Sequence, residues 1–159
     1  MKLVVGGDHA GYLLKGPVIA WLRVAGHMVQ DLGTYSPDPV DFPDIAFTVC
    51  SAVREGRADR GILVCGTGVG ACIAANKIPG MRAALCHDSY SAHQCVEHDN
   101  VNILCLGAQI VGIKLVEEIL TAFLGAEFST EEQFQRRVAK LAELEHYALH
   151  ASVTSTEQH

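Results

Sequence analysis

The chain has 159 residues, 49% of them apolar and 19% charged, with a formal net charge of −6. Such a composition is globular, with room for a substantial core, and excludes an intrinsically disordered chain. The acidic balance and the lack of any basic run argue against a nucleic-acid surface, and no apolar stretch is long enough to span a membrane.

Lys2–Gly6 reads as a first strand, entered directly from Met1, so no secretory leader is expected at this end. Gly7-Asp8-His9-Ala10-Gly11 forms the turn after it. A helix is expected up to about Ala25, with Leu13, Leu14, Val18, Trp21 and Leu22 at spacings near three and four. Pro17 interrupts that pattern and predicts a kink, or a helix that properly starts near Gly16. His27–Leu32 reads as a second strand and Gly33–Asp41 as a surface loop. Phe42-Pro43-Asp44 then opens a helix to about Glu55.

Arg60–Lys77 is the most informative stretch. The apolar run Gly61–Cys65 fits a strand buried on both faces. It ends in Gly66-Thr67-Gly68-Val69-Gly70, before an alanine-rich, helix-favouring segment. Alternate glycines allow a tight turn whose N–H groups converge on one spot, at the positive end of the next helix. A thiol at such a place is expected to have a lowered pKa, which suits Cys65 to act as thiolate base or nucleophile. Three readings remain open on these residues alone. The first is a buried strand cysteine before a turn. The second is a dinucleotide fingerprint formed by Gly66, Gly68 and Ala71, with Asp88 as its acidic partner. The third is a proton-transfer site whose glycine loop stabilises an oxyanion.

Met81–Cys86 reads as a fourth strand, ending in His87-Asp88-Ser89, where Asp88 or Ser89 can cap the next helix. Tyr90–Glu97 is expected to be helical, His98-Asp99-Asn100 a polar break, Asn102–Leu106 a fifth strand and Ile113–Leu124 an amphipathic helix. Strands alternating with helices predict an α/β, Rossmann-like, doubly wound five-stranded parallel sheet with an additional C-terminal helix. Ligands in such sheets bind beyond the carboxyl ends of the strands, where Asp8-His9, Cys65–Gly70 and His87-Asp88 fall, with His98 just before the fifth strand. The additional helix starts near Ser129 and carries Phe134, Val138, Leu141 and Leu144 or Glu145 along one face to about His150. Its apolar stripe predicts a partner subunit. We expect a single domain to residue 150 and a frayed polar tail over Ala151–His159. The six cysteines (50, 65, 72, 86, 95, 105) have neither CxxC nor finger-like spacing, so free thiols in a reducing cytoplasm are expected, with no disulfide framework and no metal site.

Taken together, Gly7–Gly11, Asp41-Phe42-Pro43-Asp44, Gly61–Lys77 and Arg82–Asp88 resemble the ribose-5-phosphate isomerase B family, which includes the galactose-6-phosphate isomerase subunits. The resemblance runs from about Lys2 to Leu144. It implies a cofactor-free aldose–ketose isomerase acting on a small sugar or sugar phosphate through an enediol. It also implies a homodimer, or a pair of dimers, with active sites between subunits. Cys65 would be the base, with Thr67 and the amides of Gly66, Gly68, Val69 and Gly70 at the oxyanion. By the resemblance His98 would open the sugar ring, Asp8 would bind near the ring oxygen, and His9, Asp99 and Asn100 would contact ligand. Asp99-Asn100 interchanges the family's usual order. The family's phosphate grip is thinned: Gln109 stands for one arginine and Gln133-Phe134 for an arginine–histidine pair, while Arg137 is retained with Arg136 beside it. That predicts weak use of ribose 5-phosphate or a preference for another, unphosphorylated or shorter, sugar; the alternative is that other residues replace the lost arginines and the ribose 5-phosphate to ribulose 5-phosphate reaction persists.

Overall fold

The computed structural model describes residues 1–151. Its elements run β1 (Lys2–Gly7), α1 (Tyr12–Val24), β2 (Met28–Asp31), α2 (Phe42–Arg54), β3 (Arg60–Cys65), α3 (Val69–Ala75), β4 (Ala83–Leu85), α4 (Ser89–Asp99), β5 (Ile103–Gly107), α5 (Ile113–Gly125) and α6 (Glu132–Ala151). The polar tail expected from Ala151 lies, from residue 152 on, outside the described residues.

The strands form one parallel sheet in the order β2-β1-β3-β5-β4. Alternation along the strands divides the core between the two faces. Leu3, Val5, Ile62, Val64, Leu104 and Leu106 pack beneath α1, α4 and α5, against Leu22, Val96 and Phe123. Val4, Leu63, Cys65, Ile103 and Cys105 pack beneath α2 and α3, against Val49 and Ala75. Residues of β3 from Gly61 onward are buried, as a strand covered on both faces must be.

Three expectations are corrected. Helix α1 starts at Tyr12 and continues through Pro17. Its buried face is Lys15, Val18, Ile19 and Leu22, whereas Leu13 is 84% exposed. Pro17 also faces solvent, where water can take the Leu13 carbonyl that proline leaves without an N–H. His98 and Asp99 are the last turn of α4 rather than a break, and Asn100 ends the helix in the left-handed conformation at φ 51°. Helix α6 starts at Glu132; before it, the Ser129 hydroxyl accepts from the Glu131 N–H at 3.2 Å, so that residue shapes the approach and not the helix.

Strand β4 is short, and side chains bond the backbone at its start on both sides, Asn76 at the outer edge and Asn102 beside β5. The Asn76 amide donates to the Ala83 carbonyl and accepts from the Ala83 N–H, both at 2.9 Å. Arg82 N–H is held by the Asn102 side chain at 2.9 Å.

Candidate active site

The chain leaves β1 into a turn that Asp8 closes upon itself. The Asp8 carboxylate accepts from the Gly11 N–H at 2.9 Å, and its own N–H donates to the Val64 carbonyl at 3.2 Å. This ties the end of β1 to the end of β3. There the Cys65 thiol donates to the second Asp8 oxygen at 2.9 Å. Both side chains are nearly enclosed, Cys65 at 8% exposure and Asp8 at 6%.

That pairing reverses the expected acidity of Cys65. Burial pushes the thiol pKa up, and the hydrogen bond to Asp8 and its negative charge push the same way. The Gly66 and Gly68 amides pull it down by less. The next helix is only seven residues long, so its dipole is small beside a carboxylate in contact. The resting pair is therefore a thiol held by a carboxylate. Such a group can deliver a proton and, once deprotonated, take one from carbon.

The loop after Cys65 is fastened to the start of the β5–α5 connection. Ala108 N–H donates to the Cys65 carbonyl at 2.8 Å and Gln109 N–H to the Gly66 carbonyl at 2.9 Å. Gly68 takes φ 80°, and a methyl group there would lie 2.5 Å from Leu85 Cδ1. This turn leaves Thr67 exposed at the mouth, with its hydroxyl 3.4 Å from the Val69 N–H. Phe42, at the start of α2, lays its ring against Gly70. His9 is exposed and its Nδ1 accepts from Val40 N–H at 3.3 Å, which docks the Gly33–Asp41 loop beside the site. Gln109 is exposed, with its side-chain oxygen beside Gly66.

The remaining sequence candidates lie elsewhere. Cys65 is level with Gly107 at the carboxyl end of β5, and Gly61 with Ile103 at its start. His98, Asp99 and Asn100 precede that start, roughly 13 Å away along the strand. Phe134 stacks on His98, so the first turn of α6, with Gln133 and Arg137, belongs to this far end too. Gln133 donates to Glu131 at 2.9 Å, and Arg136 pairs with Glu132 at 3.7 Å. Within one chain, Cys65 and His98 sit at opposite ends of the sheet. A groove of about 620 Å³ lies at the α6 side, away from Cys65; Arg82, Asp99, Val138, Leu141 and Glu145 line part of it.

Asp88, the acidic partner that a dinucleotide fingerprint needs, accepts from the Ser91 N–H at 2.7 Å as the N-cap of α4. His87 Nε2 accepts from Gly107 N–H at 3.1 Å. Lys15 is a residue that sequence reasoning missed. It is 3% exposed; its ammonium meets Asp31 at 2.6 Å and the Thr34 carbonyl at 2.5 Å. Thr34 N–H in turn bonds the Gly7 carbonyl at 2.6 Å, next to Asp8. The signal was available: Lys15 falls three, four and seven residues before Val18, Ile19 and Leu22, on the buried stripe.

Known proteins resemble this chain over most of their length. D-erythrulose-4-phosphate isomerase of Pectobacterium atrosepticum is 40% identical, covering 94% of this chain and 99% of the relative. Ribose-5-phosphate isomerase B of Escherichia coli is 43% identical over 85% of this chain and 91% of its own. The structure of ribose-5-phosphate isomerase B from Clostridium thermocellum superposes with a TM-score of 0.90 at 44% identity, covering 93% of this chain and 99% of that one. The family profile described as Ribose/Galactose Isomerase matches residues 3–141, from β1 into the α6 stripe. With the thiol–carboxylate pair, the glycine loop and the parallel sheet all inside that span, the chain belongs to the ribose/galactose isomerase family.

Proposed function

We propose that this chain interconverts an aldose phosphate and its ketose phosphate by proton transfer through an enediol, with Cys65 as the base and no cofactor. The observation that carries this reading is the buried Cys65–Asp8 pair at the mouth of the Gly66–Gly70 loop. Isomerisation needs one group to remove a proton from C2 and return it at C1, and donors for the oxygen that gains charge between those steps. Cys65 takes the first task, and Thr67 with the loop amides takes the second. Asp8, fixed by Gly11, orients the thiol and presents a carboxylate toward the sugar hydroxyls.

The substrate is a short sugar phosphate, with D-ribose 5-phosphate the first reading. A second, D-erythrulose 4-phosphate, is favoured by the end-to-end match to an isomerase of that name and by the thinned set of cations. Arg137, Arg136 and His9 are the cationic or ionisable groups left for a phosphate; Gln109 and Gln133 are neutral donors. Turnover of both phosphates and of free pentoses, measured with wild type and Cys65→Ala, tests the proposal. A fall of about 10²–10⁴-fold in the variant supports the base. Wild-type activity in it refutes the base, and a free sugar preferred over its phosphate refutes the substrate class.

The working unit is an isologous homodimer in which His98 and Arg137 of one subunit complete the Cys65 site of the other. This is supported by their separation within one chain and by the exposed Leu141 and Leu144 on α6. A compact monomer in sedimentation at micromolar concentration would refute it. Among the described residues no helix is long and apolar enough to cross a membrane. A cytoplasmic setting also agrees with six unbridged cysteines.

A further inference from the structure

The first turn of α6 lays Phe134 flat on His98, with ring centroids 4.0 Å apart and planes inclined by 15°. Arg137, one turn along, sets its guanidinium 5.7 Å from the same phenyl ring. The contact is anchored next door, where Ser129 N–H donates to the Glu97 carbonyl at 2.9 Å. Among the described residues no hydrogen bond orients the His98 ring. Glu97, the carboxylate nearest it, is 4.0 Å from Nε2 and lies closer to His93, at 3.3 Å. The stack is thus what sets the imidazole plane. It does so through the ring face, leaving Nδ1 and Nε2 at the edge for proton exchange. Phe134 stands where the family resemblance expects a histidine.

We propose that Phe134 is a positioning residue for His98 and thereby sets which sugars this chain handles well, favouring those that arrive as closed rings. The inference rests on the reading that His98 opens the sugar ring. In a furanose 5-phosphate the C1–O4 bond must break, its electron pair going to O4, which takes a proton. The hydroxyl on C1 gives up its proton and becomes the carbonyl, so protons balance. Both oxygens belong to C1, and a single imidazole can serve them only if its edge, and so its plane, is held toward them. A tetrulose 4-phosphate has no such ring, because its O4 carries the phosphate. It reaches Cys65 already open, and the orientation of His98 does not matter to it.

The test measures kcat/KM for D-ribose 5-phosphate and D-erythrulose 4-phosphate in wild type, Phe134→Leu, Phe134→Tyr and His98→Ala. The expected result is a ribose-to-tetrulose ratio about tenfold lower in Phe134→Leu, carried by kcat rather than KM and restored in Phe134→Tyr. The His98 Cε1–H resonance should also lose the upfield ring-current displacement in Phe134→Leu. An unmoved resonance in that variant overturns the proposal whatever the kinetics. So does an unchanged ratio in Phe134→Leu when His98→Ala lowers it, or an equal loss on both sugars. If His98→Ala leaves the ratio unchanged, ring opening by His98 falls and this inference with it. The role of Cys65 stands or falls separately, on Cys65→Ala.

Discussion

Replacing Lys15 by methionine isolates the contribution of a cation placed inside the fold. The side chain is buried, and its ammonium bonds one oxygen of Asp31 and the Thr34 carbonyl. Breaking a fully buried ion pair by deleting one partner costs about 3–5 kcal/mol, because the other charge is left uncompensated. Asp31 keeps 30% of its side-chain exposure and still accepts from Gly33 N–H at 2.9 Å, so the lower end applies. The loss should be about 3 kcal/mol, which for a chain of this length lowers the melting temperature by roughly 6–12 °C. Urea unfolding followed by circular dichroism, at one fixed protomer concentration, reads it. Adding Asp31→Leu should recover part of the loss, since an apolar pair of similar volume often matches a buried ionic one. A Lys15→Met variant within about 0.5 kcal/mol of wild type would refute this reasoning. So would a double variant less stable than Lys15→Met.

Other expectations concern the site and its thiols. Cys65→Ala should lower kcat by about 10²–10⁴-fold, the range that positioned proton transfer contributes, with a smaller change in KM. Because burial and Asp8 raise the Cys65 pKa, the thiolate fraction and hence kcat/KM should climb as pH rises through it. Asp8→Asn removes the carboxylate and should move that climb to lower pH; a move to higher pH would contradict the electrostatics. Gly68→Ala and Gly80→Ala both place a side chain at positive φ, at about 1–2 kcal/mol each. Only the first also collides with a neighbour, so it should lose activity that the second keeps. Brief iodoacetamide treatment at neutral pH, read by peptide mass, should label Cys72 and spare Cys50. Cys72 is partly exposed with a pKa lowered to about 7 by its hydrogen bonds, whereas burial pushes Cys50 to about 12.

What could be read in the sequence was whatever neighbours along the chain decide. The apolar run into Gly66 announced β3 and its turn, because burial on both faces removes every polar residue between Gly61 and Cys65. The acidity of Cys65 could not be read that way. It is governed by Asp8, 57 residues earlier, which only the pairing of β1 with β3 brings within hydrogen-bonding distance. His98-Asp99-Asn100 looked like a break because polar residues also fill the exposed last turn of a helix. The strand order was equally hidden. Nothing local tells β5 to insert between β3 and β4, although that insertion puts the Gly107–Gln109 segment against the Cys65 loop.

The Asn76 amide at the rim of β4 bears on how copies of this chain can meet. A strand with bare N–H and C=O groups is a template for another strand, and open edges of that kind lead to cross-molecular sheets and precipitation. Here a side chain imitates the missing neighbour at Ala83, donating and accepting as a backbone would. At Ala83 the rim therefore leaves no backbone group free to pair with a strand of another copy. Asn76, inside the Gly61–Lys77 stretch, thus closes one place on an open strand edge.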